Sequence, residues 1–195
     1  MMTVHILIID DEKAILDTFS AFLNKEGYMT SVAQDYDTAI QVLGISTFDL
    51  VFTDIALGPH SGVDILKKIK SQGQTCPVIM MTGVPDIDTA AASVRLGAFD
   101  YLTKPIRKNT LIRVTKHALQ HKTLLDEKTF IENENERYRA QLEAIFRSVE
   151  DAIITVDNDL RIIQANNSVE NICGLAPGGL TGMRIDTIDA GCCKG

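Results

Sequence analysis

Residues 4–12 read Val4-His5-Ile6-Leu7-Ile8-Ile9-Asp10-Asp11-Glu12, an apolar run that ends abruptly on acidic side chains. Apart from His5 the run does not alternate polar with apolar residues, which marks a strand covered on both faces, as in a parallel sheet. Working outward, Tyr28–Ala33, Leu50–Thr53, Pro77–Met81 and Tyr101–Thr103 are further strand candidates, several of them equally unbroken. The stretches between them have helical spacing: Ile15, Phe19, Phe22 and Leu23 share one face, as do Ile65, Leu66 and Ile69. Gly27 and Gly97 stand where the first and fourth helices should stop. Five strand–helix repeats predict a doubly wound α/β domain, with a five-stranded parallel sheet and right-handed crossovers.

In an open sheet of this kind, functional groups gather beyond the carboxyl ends of the strands. Asp10-Asp11 follows the first strand, Asp54 the third, Thr82 the fourth and Lys104-Pro105 the fifth. Three carboxylates at one edge repel and raise one another's pKa unless a cation sits among them. Mg²⁺ suits that demand, since it favours one or two carboxylates, water and phosphate oxygens. With the charge compensated, Asp54 is a candidate nucleophile toward phosphorus, forming an aspartyl phosphate. The Lys104 ammonium and the Thr82 hydroxyl would then stabilise the charge spread over the phosphoryl oxygens.

The segments Ile8-Ile9-Asp10-Asp11-Glu12, Thr53-Asp54, Pro59-His60-Ser61-Gly62, Met81-Thr82-Gly83 and Tyr101-Leu102-Thr103-Lys104-Pro105 together resemble the response-regulator receiver (CheY-like) domains of two-component signalling. The resemblance runs from residue 3 to about 120, in order and spacing. It implies a flavodoxin-like strand order 2-1-3-4-5 and a phosphoacceptor at Asp54. It also implies Mg²⁺ held by Asp10, Asp11, Asp54 and the backbone carbonyl of Ala56, and a cis Lys104–Pro105 peptide. Thr82 and Tyr101 would be the switch pair: phosphoryl oxygens draw in the Thr82 hydroxyl, and the space it leaves admits the Tyr101 ring. The implied partner is a sensor histidine kinase. The domain would assist its own phosphorylation and dephosphorylation without being an enzyme.

From Asn109 to Val149 there is no Gly or Pro, and one continuous helix of that length would span roughly 60 Å. Leu124, Ile131, Tyr138 and Ile145 recur every seven residues, with Leu142 and Val149 on the companion heptad position. Earlier companion positions are polar, at His121, Lys128 and Asn135. The pattern predicts a dimeric coiled coil with an imperfect seam. Beyond it, Ile153–Val156 and Leu160–Ala165 flank Asp157-Asn158-Asp159 as a β-hairpin, followed by a short helix to Cys173 and a Gly-rich stretch, Gly174–Gly182. Ser148 to Asp157 and Ile163-Gln164-Ala165-Asn166 resemble the first part of a PAS sensor domain, expected here as a truncated piece. The expected organisation is a receiver core at 1–106, a linker helix at 107–148 and partial PAS at 149–195.

Receiver, helix and PAS in that order resemble the front of sigma-54-dependent (NtrC-like) transcription activators. A receiver–PAS histidine kinase or cyclic-dinucleotide enzyme is the alternative, and a degenerate receiver used only for dimerisation is a third reading. The expected homodimer would form through helix 107–148 and the face made by the fourth helix and fifth strand. Residues 1–106 carry 13 acidic and 7 basic side chains, a balance of −6 that argues against nucleic-acid binding there. Residues 107–147 carry 6 and 9, mixed in sign as on a solvated helix. Neither a GxxxxGK[ST] loop nor a helix-turn-helix candidate occurs, so no ATP hydrolysis or DNA reading is expected of these residues themselves. With no long apolar stretch and no basic leader, a cytoplasmic protein is expected. Cys76 reads as a small buried hydrophobe, while Cys173 with Cys192-Cys193 is either part of a metal or redox site or incidental. His5, His60, His117 and His121 show no kinase-histidine pattern, and the helix pair His117/His121 reads as solvated.

Overall fold

The computed structural model describes residues 4–72, 75–84, 86–174 and 176–187. Cys192 and Cys193 therefore lie outside the described residues, as do the side chains of Ile172 and Cys173. The chain divides into two compact units, Met1–Lys128 and Thr129–Gly195.

The first unit alternates strand and helix: β1 His5–Ile9, α1 Lys13–Lys25, β2 Met29–Ala33, α2 Tyr36–Ile45, β3 Leu50–Asp54, a small hairpin of β4 Ala56–Leu57 and β5 His60–Ser61, then α3 Gly62–Ser71. β6 Val78–Thr82, α4 Ile87–Arg95, β7 Asp100–Thr103 and the start of α5, Lys108–Ser148, complete it. The sheet runs β2-β1-β3-β6-β7 with every neighbouring pair parallel. Numbered by its five strands alone, that is the order 2-1-3-4-5.

Alternation along the strands sends Ile6, Ile8, Leu50, Phe52, Ile79 and Met81 to one face, where Leu16, Phe19 and Leu23 of α1 and Leu111, Val114 and Ala118 of α5 cover them. Leu7, Ile9, Val51, Val78 and Met80 point the other way, against Ala39 of α2 and Ile65, Leu66 and Ile69 of α3. Each such side chain contributes about 1.5–3 kcal/mol by burial. Double coverage is the physical reason the strands read as unbroken apolar runs. α1 gives way to Gly27 at φ 90° and α4 to Gly97 at φ 86°, left-handed positions that suit glycine.

Two local features differ from the sequence reading. The β4–β5 hairpin was not anticipated, and the Gly-rich stretch contains a one-turn helix, α7 Pro177–Leu180. In the second unit, β8 Ile154–Val156 pairs antiparallel with β9 Ile162–Ala165, with an irregularity between Thr155 and Val156. Asp157 closes the turn by accepting hydrogen bonds from the amides of Asp159 at 2.9 Å and Arg161 at 2.8 Å. α6 Ser168–Cys173 and α7 pack over the hairpin through Ile162, Val169 and Leu180, a core of few residues. The buried Asn166 ties the segment after α5 to this core. Its Oδ1 accepts from the Ile153 amide at 2.9 Å, and its Nδ2 donates to the carbonyls of Asp151 at 2.8 Å and Val149 at 3.2 Å.

Candidate functional site

The carboxyl edge of the sheet collects the charged groups. Asp10 follows β1 and is fully buried, and Asp54 ends β3 at 5% exposure. Lys104 follows β7, and its Nζ lies 2.8 Å from Asp54 Oδ2, 2.8 Å from Asp10 Oδ2 and 3.4 Å from Glu12 Oε1. One ammonium thus sits among three carboxylates contributed by two strand ends. The Lys104–Pro105 peptide that follows is cis.

Burial pulls the Lys104 ammonium down, but the Asp10 and Asp54 oxygens outweigh it and hold the group above the usual lysine range. Burial likewise holds the Asp10 carboxyl above its ordinary value, with Lys104 and the Glu12 amide pulling the other way. Asp10 Oδ1 accepts from the Glu12 amide at 3.0 Å. Its Oδ2 is buried and meets the Lys104 ammonium as an ion pair at 2.8 Å. Carboxylate oxygens of Asp10, Asp11 and Glu12 all lie within 4.8 Å of one another. The donor set is all oxygen, so the residues present fit a hard divalent cation, and receiver domains bind Mg²⁺ at such an acidic site.

Asp54 is held from several sides. The Ala56 amide approaches its Oδ1 at 3.4 Å, a weak contact. The Thr53 hydroxyl donates to the Asp54 carbonyl at 3.1 Å. α3 begins directly against this carbonyl. A Cβ on Gly62 would overlap the Asp54 carbonyl oxygen and come to 2.8 Å from Thr53 Oγ1. Ser61 caps α3, its Oγ accepting from the Val63 amide at 3.2 Å.

The Thr82 hydroxyl donates to the Val84 carbonyl at 2.9 Å and accepts from the Val84 amide at 3.1 Å. Thr82 stands opposite Thr103 and Met80 opposite Tyr101, so by alternation Thr82 and Tyr101 share one face of the sheet. Tyr101 packs against the cluster covered by α2 and α3, and its buried hydroxyl has no hydrogen-bond partner among the described residues. The structure therefore brings Asp10, Asp54 and Lys104 into direct contact, with Asp11 at the exposed rim and Thr82 turned onto its own loop. Glu12 and Gly62 stood in the sequence as members of two matching segments, without a role of their own. Glu12 was legible as the neighbour of two aspartates and Gly62 as the end of the segment Pro59-His60-Ser61-Gly62, but what each touches was not.

The histidines serve elsewhere. His5 Nε2 lies 2.9 Å from Ser31 Oγ, and the His60 ring stacks on Tyr36 with centroids 4.4 Å apart. His117 and His121 are exposed on α5, each with its ring centroid 5.2 Å from that of Phe99. Cys76 is a buried free thiol. Among the described residues no helix is long and apolar enough to cross a membrane.

The response regulator receiver domain family matches residues 6–116, and the PAS domain family matches residues 140–194. The alginate biosynthesis transcriptional regulatory protein AlgB of Pseudomonas syringae pv. tomato is 31% identical over 176 residues, covering 90% of this chain and 39% of that protein. The crystal structure of NtrX from Brucella abortus in complex with ADP aligns at TM-score 0.63 and 30% identity over 81% of this chain and 33% of that one. The solution structure of the beryllofluoride-activated NtrC4 receiver domain dimer aligns at TM-score 0.58 and 29% identity over 60% of this chain and 98% of that one. The chain spans 27% to 39% of the length of the AlgB relatives it matches.

Proposed function

This chain belongs to the response regulator receiver domain family, and on that premise we propose that Asp54 takes a phosphoryl group from the phosphohistidine of a sensor kinase. The observation that carries this reading is the nearly buried Asp54 carboxylate at the end of β3, with Oδ2 2.8 Å from Lys104 Nζ. A carboxylate oxygen of Asp54 attacks phosphorus while the P–N bond breaks, and the imidazole leaves with that electron pair and takes up a proton. Mg²⁺ held by Asp10, Asp11, Asp54 and the Ala56 carbonyl would neutralise charge on the phosphoryl oxygens. Lys104 exchanges its carboxylate contacts for a phosphoryl oxygen, and Thr82 exchanges the Val84 carbonyl for another. Tyr101, whose hydroxyl has no hydrogen-bond partner among the described residues, is the side chain that responds to the space Thr82 leaves.

The proposed organisation is a receiver core at 1–106, a linker helix at 107–148 that pairs with a second copy, and a PAS portion from 149. The output is regulation of transcription, as the name of the relative AlgB suggests, with sigma-54-dependent activation the form that the receiver–helix–PAS order resembles. A small-molecule phosphodonor with Mg²⁺ tests the centre. One phosphoryl group per chain should appear on the wild type and none on Asp54→Asn, with EDTA abolishing the reaction. Equal labelling of the Asn variant refutes the assignment.

A further inference from the structure

The apolar grip of the sheet on α5 ends at Ala118 and the half-buried Leu119. One turn further a polar cluster takes over. Lys122 Nζ lies 2.6 Å from Asp126 Oδ2 on the next turn and 3.4 Å from Asp49 Oδ1. Asp126 Oδ1 accepts a hydrogen bond from the Thr75 hydroxyl at 2.7 Å. Asp49 Oδ2 accepts from the His5 amide at 2.9 Å, and the Asp49 amide donates to the His5 carbonyl at 2.8 Å. His5 opens β1, Asp49 precedes β3, and Thr75 precedes β6. One ammonium and one carboxylate of the helix are therefore tied to the amino edge of the sheet at two separate chain segments, one of them locked in turn to β1 through His5. Asp54 and its partners occupy the opposite edge.

An isolated surface ion pair would not merit a role, because exposed pairs add little to stability. This cluster differs in being closed. Asp49 is fixed by a strand backbone, Asp126 takes a hydroxyl from a separate loop, and Lys122 is only 21% exposed. The Lys122 ammonium lies above the usual lysine range because the Asp126 and Asp49 contacts outweigh the burial that pulls it down. The hydrogen bond from Lys122 holds Asp126 below the usual carboxylate range.

We propose that Lys122, with Asp49, Asp126 and Thr75, is a positioning clasp that makes α5 from Lys108 to Asp126 one rigid piece with the sheet. A helix leaving a receiver without such a hold can bend at its last buried residue and dissipate any displacement there. With the clasp closed, displacement of α5 caused at the carboxyl edge is carried about two turns past Ala118, roughly 12 Å at 1.5 Å per residue. The signalling half of this proposal rests on the phosphoacceptor reading of Asp54. The mechanical half stands on the contacts alone.

Amide hydrogen exchange of the whole chain separates the two. Lys122→Met should speed exchange across residues 119–128 about tenfold without any ligand, and Thr75→Val by a smaller factor. Both variants should bind beryllofluoride with Mg²⁺ within twofold of the wild type, because the clasp lies at the other edge. In Lys122→Met the beryllofluoride-dependent change across residues 129–148 should disappear. Unchanged exchange at 119–128 in both variants overturns the clasp. Loosened 119–128 with the downstream response intact overturns its part in signalling. A wild type that fails to bind beryllofluoride strikes at the Asp54 reading instead, and the ligand-free comparison still decides the clasp.

Discussion

Gly62 shows how a single residue supports the site without bearing any charge. The carbonyl of Asp54 lies where a Cβ of residue 62 would be, so α3 can begin against the end of β3 only with glycine there. Gly62→Ala should therefore cost about 1–3 kcal/mol by overpacking and slow phosphorylation of Asp54. Urea unfolding together with phosphodonor labelling would check both effects, and wild-type values in both would sink the idea. Cys76 makes a different prediction at the same scale. Burial pushes its thiol up from 9.0 to about 12. A group whose folded pKa is raised leaves stability unchanged below the unfolded value, and stability is lost as pH rises from about 9 toward the folded value. Unfolding measured from pH 7 to pH 10.5 should show an alkaline decline that Cys76→Ala flattens. Of the site residues, Asp10, Asp54 and Lys104 were legible because their chemistry is rare at strand ends. Gly62 stood in a matching segment, but its approach to the Asp54 carbonyl was not legible, since that contact exists only in the folded chain.

Among the elements, α5 carries its message on the outside. Leu124, Ile131, Tyr138, Leu142 and Ile145 are exposed by 65%, 57%, 58%, 66% and 52% at heptad spacing. Such a stripe on one helix is a poor match to water and a good match to its own copy. Asn135 falls on the same seam, where two asparagines facing each other favour a parallel, in-register pair. Replacing Leu142 or Ile145 by Asp removes two apolar side chains per dimer, each contributing about 1.5–3 kcal/mol. The dimer dissociation constant should rise at least about 100-fold, as read by sedimentation equilibrium. A wild type that is monomeric throughout would refute the coiled-coil reading. The long helix was legible because helix-formers ran on without Gly or Pro. The β4–β5 hairpin and α7 were not, because two to four residues are too few to show a period.

For the molecule as a whole, phosphorylation at Asp54, as proposed, would act through α5 on the pairing of two copies. Sedimentation with and without beryllofluoride and Mg²⁺ should show a change in dimer affinity that Asp54→Asn abolishes. An identical profile in all samples would detach dimerisation from the acidic site. The sequence by itself determined the parallel sheet, through strands whose double burial leaves no polar alternation. It also determined which acidic, hydroxyl and ammonium groups stand at the strand ends, because strand topology brings those ends to one edge. Only the tertiary structure decided that Lys104 bridges Asp10, Asp54 and Glu12, that Gly62 abuts the Asp54 carbonyl, and that Lys122 reaches Asp49 and Asp126. Apart from Lys122 and Asp126, one helical turn apart, these are contacts between different elements of the chain. They depend on distances of a few ångströms that periodicity and residue type do not encode.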